Sequence, residues 1–552
     1  GDIRYEAAAD DIIPLLEDDY PRARFFAAEA LGRTAHAPAV DGLINLLESN
    51  NDEDAYIRHA ASLALARIGD AEAVVALHDH PSRAVRMGAV LALRRMSHAG
   101  IANFLDDEDE YVVTEAARAI NDDFSIEPAL PALGDVLNNP RFTQEPLIRR
   151  AINANLRVGT DQAMQNLINY ALRENAPTEM RAEAVAALGT WHKPSVLDRV
   201  TGRYRGVIER DPADLKNNAS DMLIKLASHR ELPIRLKAVD AIGRVQVDEA
   251  ATRLFALLKN DPAPEMRKAA VKALAKLNTP EIGTAIETAL ADSEKSVRVA
   301  GLELIQNLDL DNDLKVDLLT EVINSKTTEE RQAALLALGN IPQESSAPAF
   351  ETLLTQLENG TLPNGIQLEL SEAIETTGAQ NLQARLNEIR NNMSEDALAA
   401  SYQDCLTGGD PDKGRMIVFR NQAAQCTQCH AFDDYGGNAG PRLNGIAAKL
   451  SREQILEALI NPSARIAPGY GVVTVETKSG ETISGILQGE NEDELMIKVG
   501  NEPEKVIAKA DITERTNAPS SMPNMANFLS KRQIRDLVSW LSTLEEDHMI
   551  GG

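Results

Sequence analysis

One pattern returns about every 31 residues through the first four hundred positions, and a chain built that way must stack short helical hairpins side by side. The second helix of each hairpin reads Ala23-Arg24 to Ala30-Leu31, Ile57-Arg58 to Ala64-Leu65, Val85-Arg86 to Ala92-Leu93 and Met180-Arg181 to Ala187-Leu188. It returns as Ile234-Arg235 to Ala241-Ile242, Met266-Arg267 to Ala273-Leu274, Val297-Arg298 to Leu304-Ile305 and Glu330-Arg331 to Ala337-Leu338. Each copy places a small residue three positions after the Arg (Ala27, Ala61, Ala89, Ala184, Ala238, Ala270, Gly301, Ala334) and Leu or Ile seven after it. Those positions share one helical face, so small residues let neighbouring helices approach and the larger ones fill the space between them. The first helices alternate with these, as in Leu43-Ile44-Asn45-Leu46-Leu47 and Leu254-Phe255-Ala256-Leu257-Leu258, and turns such as Asp261-Pro262-Ala263-Pro264 join the two.

This pattern resembles the HEAT-repeat family over roughly residues 8–395, in about eleven units, with poor fits near 101–127 and 193–232. The resemblance implies an α-solenoid with a surface for protein partners, and the recurring Arg is expected to tie adjacent repeats through a carboxylate. Aromatic residues make up only 4% of the chain, as suits Ala/Leu-rich helical packing. The formal net charge is −28, which argues against general binding to nucleic acid or to an anionic membrane surface. After residue 404 there are 15 basic against 20 acidic residues, so about −23 lies on the repeats. No apolar run is long enough to span a bilayer. The chain opens at Gly1 without a charged-then-apolar leader, as expected of a processed or partial polypeptide.

The repeat pattern stops after Met393-Ser394-Glu395, and the chemistry follows in Cys426-Thr427-Gln428-Cys429-His430. Two thiols three apart with His next to the second is the attachment motif for c-type haem. Each sulfur forms a thioether to one vinyl group, and the imidazole becomes the proximal iron ligand. A zinc half-site would need a second ligand pair, and the third cysteine, Cys405, is 21 residues away. A thioredoxin-like pair would normally sit in an α/β unit.

Around the motif, Gly409-Asp410-Pro411-Asp412-Lys413-Gly414-Arg415 with Val418-Phe419 resembles the first helix of a cytochrome c. Gly440-Pro441-Arg442-Leu443, Ser520-Ser521-Met522-Pro523 and the closing helix Ser530 to Leu541 with Trp540 follow in the family's order. The resemblance implies that the Pro441 carbonyl accepts from His430 Nδ1–H, that Leu443 lines the haem, and that Met522 is the sixth ligand, with Met525 its main competitor. Between His430 and Met522, the stretches Gly471–Thr477, Thr482–Leu487, Glu494–Val499 and Lys505–Lys509 alternate with period two, predicting a β-insertion over about 471–516. With Asn461-Pro462, Tyr470 and the Gly480 hairpin, the segment is similar to the haem-binding domain of planctomycetes and verrucomicrobia. In that family the domain commonly follows HEAT-like repeats, which often follow a propeller resembling quinoprotein sugar dehydrogenases.

The expected architecture is therefore mainly α: a HEAT-repeat solenoid over 1–400, then a monohaem cytochrome c domain over 401–552 carrying the β-insertion. The expected function is periplasmic electron transfer through one covalent haem c, which places the protein outside the bacterial cytoplasm. A quinoprotein-type dehydrogenase would be the donor and a soluble or membrane protein the acceptor. Any PQQ would belong to a partner domain absent from these residues. Two alternatives stand beside it: a peroxidase-like haem enzyme, and a docking scaffold whose haem is a sensor or structural element. Candidate sites in the array read as structural. Asp309, Asp311 and Asp313 lack the glycine and glutamate of a calcium loop; His78, His80 and His98 lack ligand spacing; Asn218-Ala219-Ser220 is a short, chance-prone glycosylation motif.

Overall fold

A computed structural model describes residues 4–393 and 397–546, so part of the predicted junction at Met393-Ser394-Glu395 lies outside the described residues. The chain is 64% helical and divides into two compact units, residues 1–304 and 305–552.

The first unit is a succession of helical hairpins whose second helices stack on one another: Pro21–Arg33, Ala55–Ile68, Arg83–Met96, Glu110–Asn121, Glu145–Val158, Thr178–Leu188, Leu232–Val245 and Pro264–Leu277. Adding Lys295–Asn307, Thr328–Leu338 and Gln367–Thr377 gives eleven second helices among the described residues, beside the about eleven units read from the sequence. The small positions are buried as their spacing requires, and glycines at the helix ends let backbones touch. A Cβ at Gly32 would lie 2.6 Å from Ala64 Cα, and one at Gly339 would lie 2.9 Å from Ala373 Cα. Full burial of each Leu or Ile seven after the Arg contributes on the order of 1.5–3 kcal/mol.

Three of the eight recurring arginines tie adjacent repeats through a carboxylate in the way expected of them. Arg86 Nε donates to Asp107 at 2.7 Å, Arg235 Nη1 to Asp261 at 2.7 Å and Arg267 Nε to Asp292 at 2.6 Å, each Asp lying in the next hairpin's turn. Two of them also hold carbonyls of their own turn: Arg86 that of His80 and Arg267 that of Asp261. Asp261 and Asp292 thus join two arginines each, one through the carboxylate and one through the backbone.

Of the two poorly fitting stretches, the first is a hairpin whose leading helix is tightened to a 3₁₀ segment, Ala99–Asp106. The second is an insert without helices between Leu188 and Pro212, closed by an isolated bridge between Leu197 and Tyr204. Its anchor is Asp198, whose buried carboxylate accepts from Val200 N, Thr201 N, Arg205 Nε and Asn153 Nδ2. Those donors hold the Asp198 carboxyl below the usual carboxylate range although burial acts first, and the other way. The candidates discounted from sequence are turn-formers: Asp311 caps the Asn312–Ser325 helix, and His80 and His98 accept from Ser82 N and Gly100 N.

The second unit begins with the last hairpins and continues into a smaller helical core with a separate sheet. The helices Pro411–Arg420, Arg452–Ile460 and Lys531–Leu541 surround one cluster that includes Ile417, Phe432, Leu456, Met525, Ile534 and Trp540. Two short strands, β1 (Ala431–Phe432) and β2 (Tyr435–Gly436), form a hairpin beside it. The insertion is an antiparallel sheet of β3 (Val472–Thr477), β4 (Thr482–Glu490), β5 (Glu494–Lys498), β6 (Lys505–Ala508) and β7 (Ile512–Asn517) in the order β6-β5-β4-β3-β7. Val473, Val475, Ile483, Leu495, Ile497 and Ile507 give it a core of its own. The fifth strand, β7, ends one residue past the predicted bound and carries no alternation, because as an edge strand it is exposed at nearly every position.

Within this unit the closing helix packs on the final hairpins. Arg535 Nη1 donates to both carboxylate oxygens of Glu369, at 2.8 and 2.9 Å, and both residues are buried. Burial lifts the Glu369 carboxyl above its ordinary range, and the guanidinium offsets this only in part. Arg532 pairs with Glu372 at 2.6 Å nearer the surface, and Gln332 Nε2 donates to Gly365 O and Gly408 O.

Candidate functional site

Cys426–Cys429 forms a single helical turn, which sets the two thiols three residues apart on one face. His430 leaves the turn in extended conformation, with its N–H bonded to Cys426 O at 2.9 Å. The following loop is wrapped back over the turn: Gly437 N donates to Thr427 O and Gly440 N to Cys429 O. Glycine is required where the loop meets the imidazole, since a Cβ at Gly440 would stand 2.8 Å from His430 Cε1.

His430 Nδ1 lies 2.7 Å from Pro441 O. A carbonyl can only accept, so Nδ1 carries the hydrogen and Nε2 keeps its lone pair, the tautomer a metal-ligating histidine needs. Burial lowers the affinity of the ring for a second proton, and the Pro441 bond opposes that only partly. Burial prevails, leaving a neutral imidazole whose orientation the Pro441 bond fixes.

Cys426, Leu443 and Met522 are all partly buried against the same helical core. Burial also raises the Cys426 thiol above its usual pKa, while Cys429 is exposed. Met525, the competitor for the role given to Met522, is buried within the core and opens the Met525–Asn527 turn, so its side chain is committed to packing. Met522 is held by a tighter local frame: its N–H donates to Ser520 Oγ, and Ser520 N donates to Ser463 Oγ beside Asn461-Pro462. Tyr470, named with that pair, is exposed.

Three aromatic rings floor the region. Phe419, Phe432 and Trp540 stand with centroids 5.3–5.9 Å apart, and Gly414 allows the closing helix in, a Cβ there reaching 2.7 Å from Trp540 Cβ. Cys405 is fully buried away from any pairing partner, bonded through sulfur to Lys531 O, and its thiol is pushed strongly up by burial.

One part of the site was missed in the sequence. Asn444 is buried, accepts from Asp433 N and Arg442 Nε and donates to Asp433, clamping the loop that carries Pro441. The signal available was Asn444-Gly445, with Gly445 at φ 64°, a turn whose partner eleven residues back no periodicity reveals.

Among the described residues, no group of three or more His, Cys, Asp or Glu gathers as a metal site, and no helix is long and apolar enough to cross a membrane. A family model for HEAT repeats matches residues 9–94 and 220–305. The chain therefore carries HEAT repeats at two places, consistent with an α-solenoid, and such repeats are generally scaffolds for protein–protein contact. No match was found among curated proteins.

Proposed function

We propose that residues 401–552 form a monohaem c-type cytochrome domain, attached through Cys426 and Cys429, with His430 and Met522 as iron ligands, and that the protein transfers electrons outside the bacterial cytoplasm. The observation that carries this reading is the pinned imidazole: His430, next to the second thiol of the motif, donates Nδ1–H to Pro441 O and keeps Nε2 for a metal. The glycine cradle at Gly440, which admits no side chain against the ring, supports the same assignment.

Bound haem supplies a one-electron couple, and His/Met ligation raises its potential. The chain's own contribution is to orient the imidazole, to shield the region with Phe419, Phe432 and Trp540, and to keep Cys405 out of reach of the attachment chemistry. The HEAT repeats would hold the redox partners, a quinoprotein-type dehydrogenase as donor and a soluble or membrane protein as acceptor.

Expression in a host with haem-attachment machinery should give one covalent haem per chain, with the sulfur-to-iron charge-transfer band of Met ligation in the oxidised form. Met522→Ala should abolish that band. A high-spin spectrum of the wild type, or the band surviving in Met522→Ala, would remove Met522 from the site. Absence of covalent haem would remove the reading altogether.

A further inference from the structure

The arginine ladder breaks at Arg331. In four of the other repeats the arginine's side chain reaches the residue three positions before the next hairpin's second helix. That residue is Asp107 for Arg86, His229 for Arg181, Asp261 for Arg235 and Asp292 for Arg267. For Arg331 the next second helix opens with the Asn364–Ile366 turn, and the corresponding residue is Thr361. Thr361 Oγ1 donates to Gln356 O and carries no charge to offer.

Arg331 is also loosely held by its own turn. Its one hydrogen bond there among the described residues is Nη2 to Asn324 O at 3.5 Å, where Arg267 and Arg298 make equivalent bonds at 2.9 and 2.8 Å. Its Nε is buried without a hydrogen-bond partner, and among the described residues no carboxylate pairs with it. Arg235 Nε lacks a partner too, but its guanidinium is neutralised by Asp261. A cavity of about 230 Å³ opens in front of Arg331, with Asn324, Gln356 and Thr361 as its polar wall and Leu362 and Ile366 as its apolar one. A partly buried guanidinium with no counter-ion is costly, and a planar carboxylate is the group its donor fork fits.

We propose that this cavity binds a carboxylate, which takes the place that an aspartate holds opposite Arg86, Arg235 and Arg267, with Arg331 as its counter-ion and Thr361, Gln356 and Asn324 as polar neighbours. The volume lies under the ~300 Å³ at which pockets for drug-sized ligands begin, so the carboxylate belongs to a short organic acid or to one acidic side chain of a bound peptide. The inference does not depend on the haem assignment, since every residue in it belongs to the hairpins.

The test is calorimetric titration of the full chain with propionate, with succinate and with a capped Gly-Glu-Gly tripeptide, sodium sulfate at matched ionic strength serving as control. Saturable binding of at least one carboxylate is expected, about tenfold or more weaker in Arg331→Gln and partly retained in Arg331→Lys. Tighter binding of the tripeptide assigns the site to a partner's acidic side chain; tighter binding of the free acids assigns it to a metabolite. Thr361→Asp restores the internal partner, so it should abolish binding and raise the melting temperature. No saturable binding by any carboxylate, an equal response to sulfate, or binding unchanged in both Arg331→Gln and Thr361→Asp would overturn the proposal.

Discussion

Replacing Glu369 by Ala should detach the closing helix from the last hairpins more effectively than any surface change. The loss leaves Arg535 buried without the carboxylate it is hydrogen-bonded to, and its Nε already has no partner. Breaking a buried pair from one side costs about 3–5 kcal/mol. For a unit of this size each kcal/mol moves the midpoint by roughly 2–4 °C, so Glu369→Ala should lower the transition of residues 305–552 by about 6–20 °C. The double replacement Glu369→Met with Arg535→Met removes both charges and keeps the volume, and it should recover most of that loss. Glu372→Ala, at the more exposed pair with Arg532, is the internal control, with an expected cost of at most about 1 kcal/mol. Differential scanning calorimetry of the wild type and these three variants measures the differences. If Glu369→Ala costs no more than Glu372→Ala, or if the double variant is as unstable as the single, the pair is solvent-screened and the reasoning fails.

Two further outcomes follow from the geometry. Asp198→Ala removes the acceptor for four donors, so trypsin should cut the insert at Arg199, Arg203 or Arg205 at least tenfold faster than in wild type while cutting elsewhere is unchanged; equal cleavage rates would show that Asp198 is not the anchor. Glu490 is held down to about 2 by Arg515 and Lys509, and a depressed carboxyl stabilises the fold above its unfolded pKa and loses that contribution as pH falls through the folded one. Stability of the sheet should therefore decline between about pH 4.5 and 2, and Glu490→Gln should flatten that decline in pH-dependent thermal melts.

The repeats were legible because their signal is local and periodic: an Arg, a small residue and a Leu on one helical face need only neighbours along the chain. Cys426-Thr427-Gln428-Cys429-His430, on which the proposed haem attachment rests, stands out for the same reason, five consecutive residues carrying the whole pattern. What stayed hidden depends on pairing across distance. Asp107, Asp261 and Asp292 receive the arginines, yet each looks like an ordinary turn residue until the hairpins are stacked. Asn444 reads as part of a Gly turn, and its clamp on Asp433 exists only once the loop folds back. The insert around Asp198 has neither helical nor strand period, because buried polar contacts hold it instead of an apolar face. The strand β7 was passed over for the opposite reason, since exposure on both faces removes the alternation by which strands are recognised.

The packing of Lys531–Leu541 on the final hairpins has a consequence for assembly. A stack of repeats ends on a helix face built to receive another repeat, and an uncovered end invites a second molecule to add on in line. Here Glu369 and Glu372 on the last of the eleven second helices are occupied by Arg535 and Arg532, and Gly408 is pressed onto Gly365 too closely for any side chain between them. The closing helix and Gly408 thus occupy the face of the last hairpin on which a further repeat would stack, so in-line addition of another copy at that face would first have to displace them.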